Sequence, residues 1–330
     1  LQETIMRTIN WGILGAANFA LQQMGPAIHG AKGARLAALA TSSAAKAEPF
    51  RAINPDLRVH LSYEALLADP EIDVIYIPLP NMLHVEWTKK ALAAGKHVLT
   101  EKPIAMQAAE IDDLIAARDK AGKLAAEAYM IVHHPQWQTA RRLIAEGAIG
   151  TLRHVDTAFT FDKGDEPGNI RNRPETGGGG IRDIGVYAYS CVRFATGAEP
   201  DQLTAFIRRE NGVDVHATVI GEMAGNGHRF TYGALTAIRL PNRQEITFQG
   251  SKGNIRMTAP FNAELFAEPE LHVIRAGEPV QVHRFTGARQ YTIQVEAFNA
   301  SVRDGSPYLW TLEDARGTQA MIDKVFASEL

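Results

Sequence analysis

The sequence predicts two domains: an α/β domain on a parallel sheet over residues 1–130, then an α+β domain with a mostly antiparallel sheet over residues 131–330. Three observations carry this. Short apolar runs alternate with helix-period segments through the first part of the chain, the signature of βαβ units. From Leu152 onward the runs lengthen and alternate with period two, as antiparallel strands with one solvated face do. A chain of 330 residues also exceeds a usual single core. At that size a compact fold buries roughly 75% of its extended surface, so two domains need no added staples.

The elements follow in order. Apolar, β-branched or alanine-rich runs place strands near Asn10–Leu14, Arg35–Thr41, Val74–Ile77, His97–Thr100 and Leu124–Ala128. Between them, helical periodicity covers Phe19–His29, Ala44–Ile53, Tyr63–Ala68, Leu83–Ala94 and Ala108–Ala121. Gly95 and Gly122 follow the last two as stop signals, because glycine takes the left-handed turn after a helix without a Cβ clash. The domain boundary falls near Met130–Pro135. In the second half, alternation gives strands at Arg153–Phe161, Leu203–Arg209, Asp214–Met223 and Arg229–Arg239. Helices fall at Pro135–Glu146, Arg182–Thr196, Ile293–Arg303 and Leu312–Ser328. There is no internal repeat and no low-complexity stretch apart from Gly177–Gly180.

Composition excludes several classes of protein. The net charge is −3, with 34 basic and 37 acidic residues spread along the chain, so no basic stripe offers a footprint for nucleic acid. Cys191, the single cysteine, lies in an apolar helical run; this rules out a disulfide framework and fits a reducing, cytoplasmic setting. No apolar stretch is long enough to enter a membrane. The histidines lack ligand spacing, so no metal is expected. Residues 1–5 precede Met6 and read as an appended or processed end. Asn299-Ala300-Ser301 sits in a helical pattern and is taken as a chance sequon.

The first strand runs into Gly15-Ala16-Ala17-Asn18-Phe19, where Gly15 permits a tight strand-to-helix turn facing a pyrophosphate. Two of the usual glycines are alanines, and the motif gains its weight from its place between first strand and first helix. At the end of the second strand, a carboxylate would read the 2'-hydroxyl of NAD. This chain has Thr41-Ser42-Ser43 and then Lys46, hydroxyls and an ammonium that can hydrogen-bond a 2'-phosphate. NADP is therefore expected over NAD, the alternative being an ordinary polar loop.

Glu101-Lys102-Pro103 directly follows the strand His97–Thr100, which places Lys102 beyond the carboxyl end of a buried parallel strand, where ligands collect in such sheets. Lys102 is read as catalytic. Beyond the preceding strand, Pro78, Leu79, Asn81 and His84 are placed to wall a nicotinamide ring. Asn81 reads equally as a helix N-cap and His84 as a satisfied buried histidine. Further on, Gly177-Gly178-Gly179-Gly180 leads to Asp183, Gly185 and Tyr187. A helix opening near Arg182 would put Asp183 and Tyr187 on one face, with Gly185 clearing space for a ligand or another backbone. The plainer alternatives are a flexible glycine loop and a core tyrosine.

Gly12-x-x-Gly15, Asn81-x-x-His84, Glu101-Lys102-Pro103 and the glycine run with Asp183, Gly185 and Tyr187 together resemble the glucose-fructose oxidoreductase and inositol dehydrogenase family, Gfo/Idh/MocA. The segments Ile77–His84, Ala126–Gln136 and Asn169–Arg171 are most similar to its branch of NADP-dependent D-xylose 1-dehydrogenases and dimeric dihydrodiol dehydrogenases. Arg182 and Val186 depart from the family pattern around the aspartate.

The resemblance implies a Rossmann domain, then a substrate-binding and oligomerisation domain with an open-faced sheet, and an active site between them. It implies a homodimer or homotetramer. Lys102 matches the family lysine, and Asp183 the aspartate that fixes substrate and lysine. Tyr187, histidine in many relatives, would be the base that deprotonates the anomeric hydroxyl of an aldose as hydride leaves for NADP. Glu101 and Arg171 join the cofactor-binding candidates, while His134, Asn169 and Arg171 are candidates to hydrogen-bond sugar hydroxyls, with His133-His134 reading alternatively as capping or solvating the following helix. The expected activity is an aldose, D-xylose-like, 1-dehydrogenase giving a lactone. Alternatives are a dicarbonyl or anhydro-sugar reductase, a trans-dihydrodiol dehydrogenase, or an NADP-sensing binding protein.

Overall fold

The computed structural model describes residues 7–330, so the reading of residues 1–5 lies outside the described residues. Two compact units form. They are not separated by a single cut near residue 130. The first takes the chain to Ala105, then Ala109–Met130 and also Gln290–Asp314; the second takes Met106–Ala108, Ile131–Arg289 and Ala315–Leu330. The expected second domain, 131–330, thus gives up the helix Gln290–Asp304 to the first unit. That helix buries Val295 and Phe298 there, Phe298 lies 5.3 Å from the Trp11 ring, and Asn299 Oδ1 accepts a 3.0 Å hydrogen bond from Trp11 Nε1.

The first unit is a six-stranded sheet of β1 (Ile9–Leu14), β2 (Ala34–Ala40), β3 (Arg58–His60), β4 (Val74–Ile77), β5 (His97–Glu101) and β6 (Ala125–Ala128). Their order is β3-β2-β1-β4-β5-β6, and every neighbouring pair is parallel. β4 is buried at all four positions, and β1 at all but Asn10, because a parallel sheet has both faces covered. Strand order reverses between β1 and β4, and at such a switch point loops diverge and leave a crevice at the carboxyl ends.

Several predicted helices are broken. Phe19–His29 becomes a π-helical turn Ala20–Met24 and a short helix Gly25–Gly30 that restarts at Pro26. Ala44–Ile53 is likewise divided at Glu48-Pro49 into a helix Ala44–Ala47 and a 3₁₀ turn Glu48–Ala52. Proline lacks the N–H to continue a helix and is accommodated only in a first turn.

The second unit is built on eight strands. They are β7 (Leu152–Asp162), β8 (Glu199–Glu210), β9 (Val213–Gly225), β10 (His228–Ala237), β11 (Arg239–Gly250), β12 (Asn254–Met257), β13 (Glu270–Ile274) and β14 (Gln281–Arg284). The order is β14-β13-β12-β11-β7-β10-β9-β8; β7 and β10 pair parallel and the rest antiparallel. Along β9, Val215, Ala217 and Val219 are buried while Thr218 and Ile220 face solvent, so one side of the sheet is covered and the other open. Helix Val186–Thr196 packs on the covered side, where Tyr232 donates a 2.8 Å hydrogen bond to the Ala188 carbonyl. Cys191 is buried in that helix. Phe206 and Ile220 are the large apolar side chains exposed on β8 and β9, at 56% and 59%. Among the described residues, no helix is long and apolar enough to cross a membrane.

Candidate active site

In the first unit, the predicted cofactor residues stand at the carboxyl ends of adjacent strands. Gly15 ends β1 with φ +97°, and its N–H donates to the Ala40 carbonyl at 2.9 Å. A Cβ at Gly15 would stand 3.0 Å from Leu79 and 3.3 Å from the Tyr63 hydroxyl, so a side chain is excluded by both backbone and space. Ala16 and Ala17 are half-buried, while Asn18 and Phe19 are exposed, the Phe19 ring lying edge-on to Tyr291 at 5.5 Å. Next to them, Thr41 is buried and its hydroxyl receives the Ser43 N–H at 3.4 Å, while Ser42 and Lys46 stand exposed with no carboxylate among residues 41–47. The small residues after β1 and this hydroxyl-and-ammonium group after β2 fit a dinucleotide carrying a 2'-phosphate.

After β4, Pro78 and Leu79 lead into a 3₁₀ turn, Asn81–Leu83. Asn81 opens this turn, and the cap positions belong to Pro80 and Leu83. His84 is wholly buried; one ring nitrogen lies 2.8 Å from the Pro103 carbonyl and the other 2.7 Å from the Leu79 carbonyl. Burial lowers its pKa, outweighing the two carbonyls, which pull the other way. With no accessible surface, His84 bridges the loop after β4 to the residue following Lys102. Its expected place on the nicotinamide wall gives way to a role in holding both loops.

Lys102 is half-buried, and the Lys102–Pro103 peptide is cis. From the other side, Glu127 on β6 accepts the Ile104 N–H at 3.0 Å and the Trp310 indole N–H at 3.0 Å. Glu101 accepts a 2.6 Å hydrogen bond from the Tyr76 hydroxyl. Burial pushes the Glu101 carboxyl up to about 7, against the Tyr76 bond and the nearby Lys102 charge. Tyr76, Glu127 and Tyr291, which flank these loops, carry no local sequence signal.

In the second unit, Arg171 grips Asp183 with two hydrogen bonds, Nε to Oδ2 at 2.5 Å and Nη2 to Oδ1 at 3.3 Å. The Asp183 charge is the main reason the Arg171 pKa is raised, and an ionised Tyr187 adds to it. Tyr187 is 6% exposed; its ring sits 5.8 Å from Phe159 and 5.9 Å from Phe261, two rings stacked at 5.0 Å. The Arg171 guanidinium lies 5.6 Å from the Phe161 ring. Asn169 caps the turn Ile170–Asn172 by accepting the Arg171 N–H at 3.1 Å, and its amide donates to Glu166 at 2.8 Å. Asn169 therefore supports Arg171.

Two expectations are corrected here. His134 is wholly buried, its Nδ1 caps helix Pro135–Ala145 by accepting the Gln136 N–H at 3.1 Å, and burial pushes its pKa down to about 4. It is placed to hold that helix, not to meet a sugar. The space left by Gly185 is taken by the Tyr189 ring, which would stand 2.8 Å from a Cβ. Asp183 and Tyr187 also sit on two kinds of helix, a π-helical turn Ile181–Gly185 and the α-helix after it. Among the described residues no cluster of three His, Cys, Asp or Glu could hold a metal.

A parallel sheet with a glycine turn and a lysine at its carboxyl edge, and a separate sheet unit bearing an Arg–Asp pair beside a tyrosine, define a nicotinamide-dependent oxidoreductase. Comparison with known proteins places it further. Residues 9–129 match the model of the oxidoreductase family with an NAD-binding Rossmann fold, and residues 137–256 match the GFO/IDH/MocA C-terminal domain. The chain is 34% identical to an uncharacterized oxidoreductase, ORF334, from Rhizobium meliloti, over 97% of this chain and 96% of that one. It is 31% identical to D-xylose 1-dehydrogenase (NADP(+)) 2 of Haloferax volcanii, over 96% of each. It also superposes on a 3-ketoreductase from Actinomadura kijaniata, crystallised with NADP and TDP-benzene, with a TM-score of 0.86 and 27% identity over 98% of each chain. The chain belongs to the Gfo/Idh/MocA oxidoreductase family.

Proposed function

We propose that the protein is an NADP-dependent sugar oxidoreductase, acting as an aldose 1-dehydrogenase on a D-xylose-like substrate. The observation that carries this reading is the half-buried Arg171–Asp183 pair beside Tyr187, with the Phe161 ring 5.6 Å from the guanidinium. A charged acceptor and donor beside part-exposed aromatic edges suit a ring that is polar at its edge and apolar on its face. The 31% identity to a xylose dehydrogenase supports the same choice.

Gly15–Phe19 would hold the pyrophosphate and Thr41, Ser42, Ser43 and Lys46 the 2'-phosphate, with Pro78, Leu79 and Asn81 lining the loop beyond. NADP, when bound, supplies the nicotinamide C4 that accepts the hydride from the anomeric carbon. Tyr187 takes the proton of the anomeric hydroxyl, so aldose and NADP give lactone, NADPH and a proton. A free tyrosine titrates near ~10, and bringing it near neutrality asks for about 4 kcal/mol of preference for phenolate. Arg171, whose charge lies close to Tyr187, is the cation assigned to supply it. Asp183, held by Arg171, orients a sugar hydroxyl. Glu101 and His84 act behind Lys102, and Asn169 behind Arg171. The working molecule is a homodimer or homotetramer in the cytoplasm.

A second reading, reduction of a keto-sugar nucleotide, draws on 31% identity to a dTDP-sugar 3-reductase of Actinomadura kijaniata. The two separate in one assay. Mixed with NADP and xylose, glucose, arabinose or galactose, the protein should form NADPH and a lactone visible by NMR. No NADPH from any aldose, together with NADPH consumption on a 3-keto sugar nucleotide, would replace the first reading by the second.

A further inference from the structure

The glycine run and a buried aspartate of β9 meet in the second unit, and neither is used in the chemistry above. Asp214 is 4% exposed, and its Oδ2 accepts the Ile181 N–H at 2.6 Å. A Cβ at Gly179, which has φ +107°, would stand 2.1 Å from Asp214 Oδ1. A Cβ at Gly178 would lie 2.6 Å from the carbonyls of Arg171 and Ile170. The Gly179 N–H donates to the Arg171 carbonyl at 2.9 Å, and the Asp183 N–H to the Gly179 carbonyl at 3.3 Å. The run is thus a tight clamp. One side of it touches the backbone that carries Arg171, the other a carboxylate, and its end is bonded to Asp183. Only glycine admits both approaches.

We propose that Asp214 is a positioning residue: its ionised carboxylate, seated on the open amides at the start of the Ile181–Gly185 turn, fixes the turn that sets Asp183 against Arg171. This rests on the catalytic reading of Asp183. The groups facing Asp214 are Arg182 from the turn, Tyr189 from the helix after it, and Arg209 from β8. Burial pushes Asp214 up to about 6, opposed by the Ile181 N–H, by Arg182 and by the Gly180 N–H. Protonation removes an acceptor from those amides, so the turn should loosen as pH falls through that value.

Hydrogen exchange of the segment 177–185, corrected for intrinsic pH dependence, tests this without any substrate. Amides of Gly180 and Ile181 should be protected above pH ~6, lose protection below it, and exchange roughly tenfold faster in Asp214→Asn at neutral pH. In turnover of an aldose with NADP at neutral pH, Asp214→Asn should lower kcat while keeping its KM for NADP. Should the variant not fold, wild-type protection that is flat across this pH range overturns the proposal by itself. Equal protection in variant and wild type overturns it too. Asp183→Asn separates the layers: wild-type turnover in that variant overturns the reading of Asp183, whereas its inactivity beside an unaltered Asp214→Asn overturns the positioning role alone.

Discussion

Replacing Arg171 by Leu removes both bonds to Asp183 and leaves a carboxylate whose side chain is only 15% exposed without its cation. A hydrogen bond to a charged group contributes about 1.5–3 kcal/mol. The 3.3 Å bond adds little, and water can reach a guanidinium that is 33% exposed, which screens the pair. About 2 kcal/mol remains. If Asp183 must be held in place at the transition state, that loss lowers kcat by roughly 30-fold at 1.36 kcal/mol per tenfold. Steady-state kinetics with NADP and a responsive aldose, beside NADPH binding by fluorescence, separate the effects: kcat should fall with NADPH affinity retained. Arg171→Lys keeps the charge but not the fork and should fall between the two. A leucine variant within twofold of wild-type kcat, or one that loses only NADPH affinity, would refute the reasoning.

Other outcomes follow from the same geometry. His84→Phe removes the imidazole between the buried Leu79 and Pro103 carbonyls, one of which loses its N–H donor, so thermal unfolding should show a loss of about 2 kcal/mol with lower kcat; an unchanged midpoint would contradict the bridge. Ser42→Asp puts a carboxylate where the 2'-phosphate is expected and should raise the NAD to NADP ratio of kcat/KM at least tenfold; an unshifted ratio removes that loop from cofactor choice. His133 and His134 are pushed down to about 4 by burial, whereas unfolded they titrate near ~6.5. Between those values the unfolded chain binds more protons, so these residues make stability fall as pH drops from about 6.5 to about 4, by up to roughly 3 kcal/mol each. Melting of His134→Asn against wild type should show a shallower acid slope, and equal slopes would contradict this.

How much was legible depends on the distance over which residues cooperate. β1, β4 and β5 stand out as short apolar runs, so the strand-end positions of Gly15, Leu79 and Lys102 could be read directly. β3 and β14 have only three and four residues and no buried position, and they left no trace. The glycine run pointed to Asp183 and Tyr187. The partner that grips Asp183 comes from a loop twelve residues earlier, and the carboxylate that shapes the run comes from β9. Such meetings are set by tertiary packing and leave no local pattern. His134 misled because a histidine before Pro135 has the polarity of a ligand and the position of a cap, and burial decides between them. The return of Gln290–Asp314 to the first unit rests on Phe298 and Asn299 meeting Trp11, a contact no periodicity announces.

The most direct test of the account is the absorbance of reduced nicotinamide when wild type and Lys102→Met are each mixed with NADP or NAD and a panel of aldoses. The account predicts turnover with NADP and an aldose by wild type, and at least a hundredfold lower rate in Lys102→Met with NADPH binding intact. Near-normal turnover in the variant, or a wild type that binds NADPH yet is silent with every aldose, would contradict it.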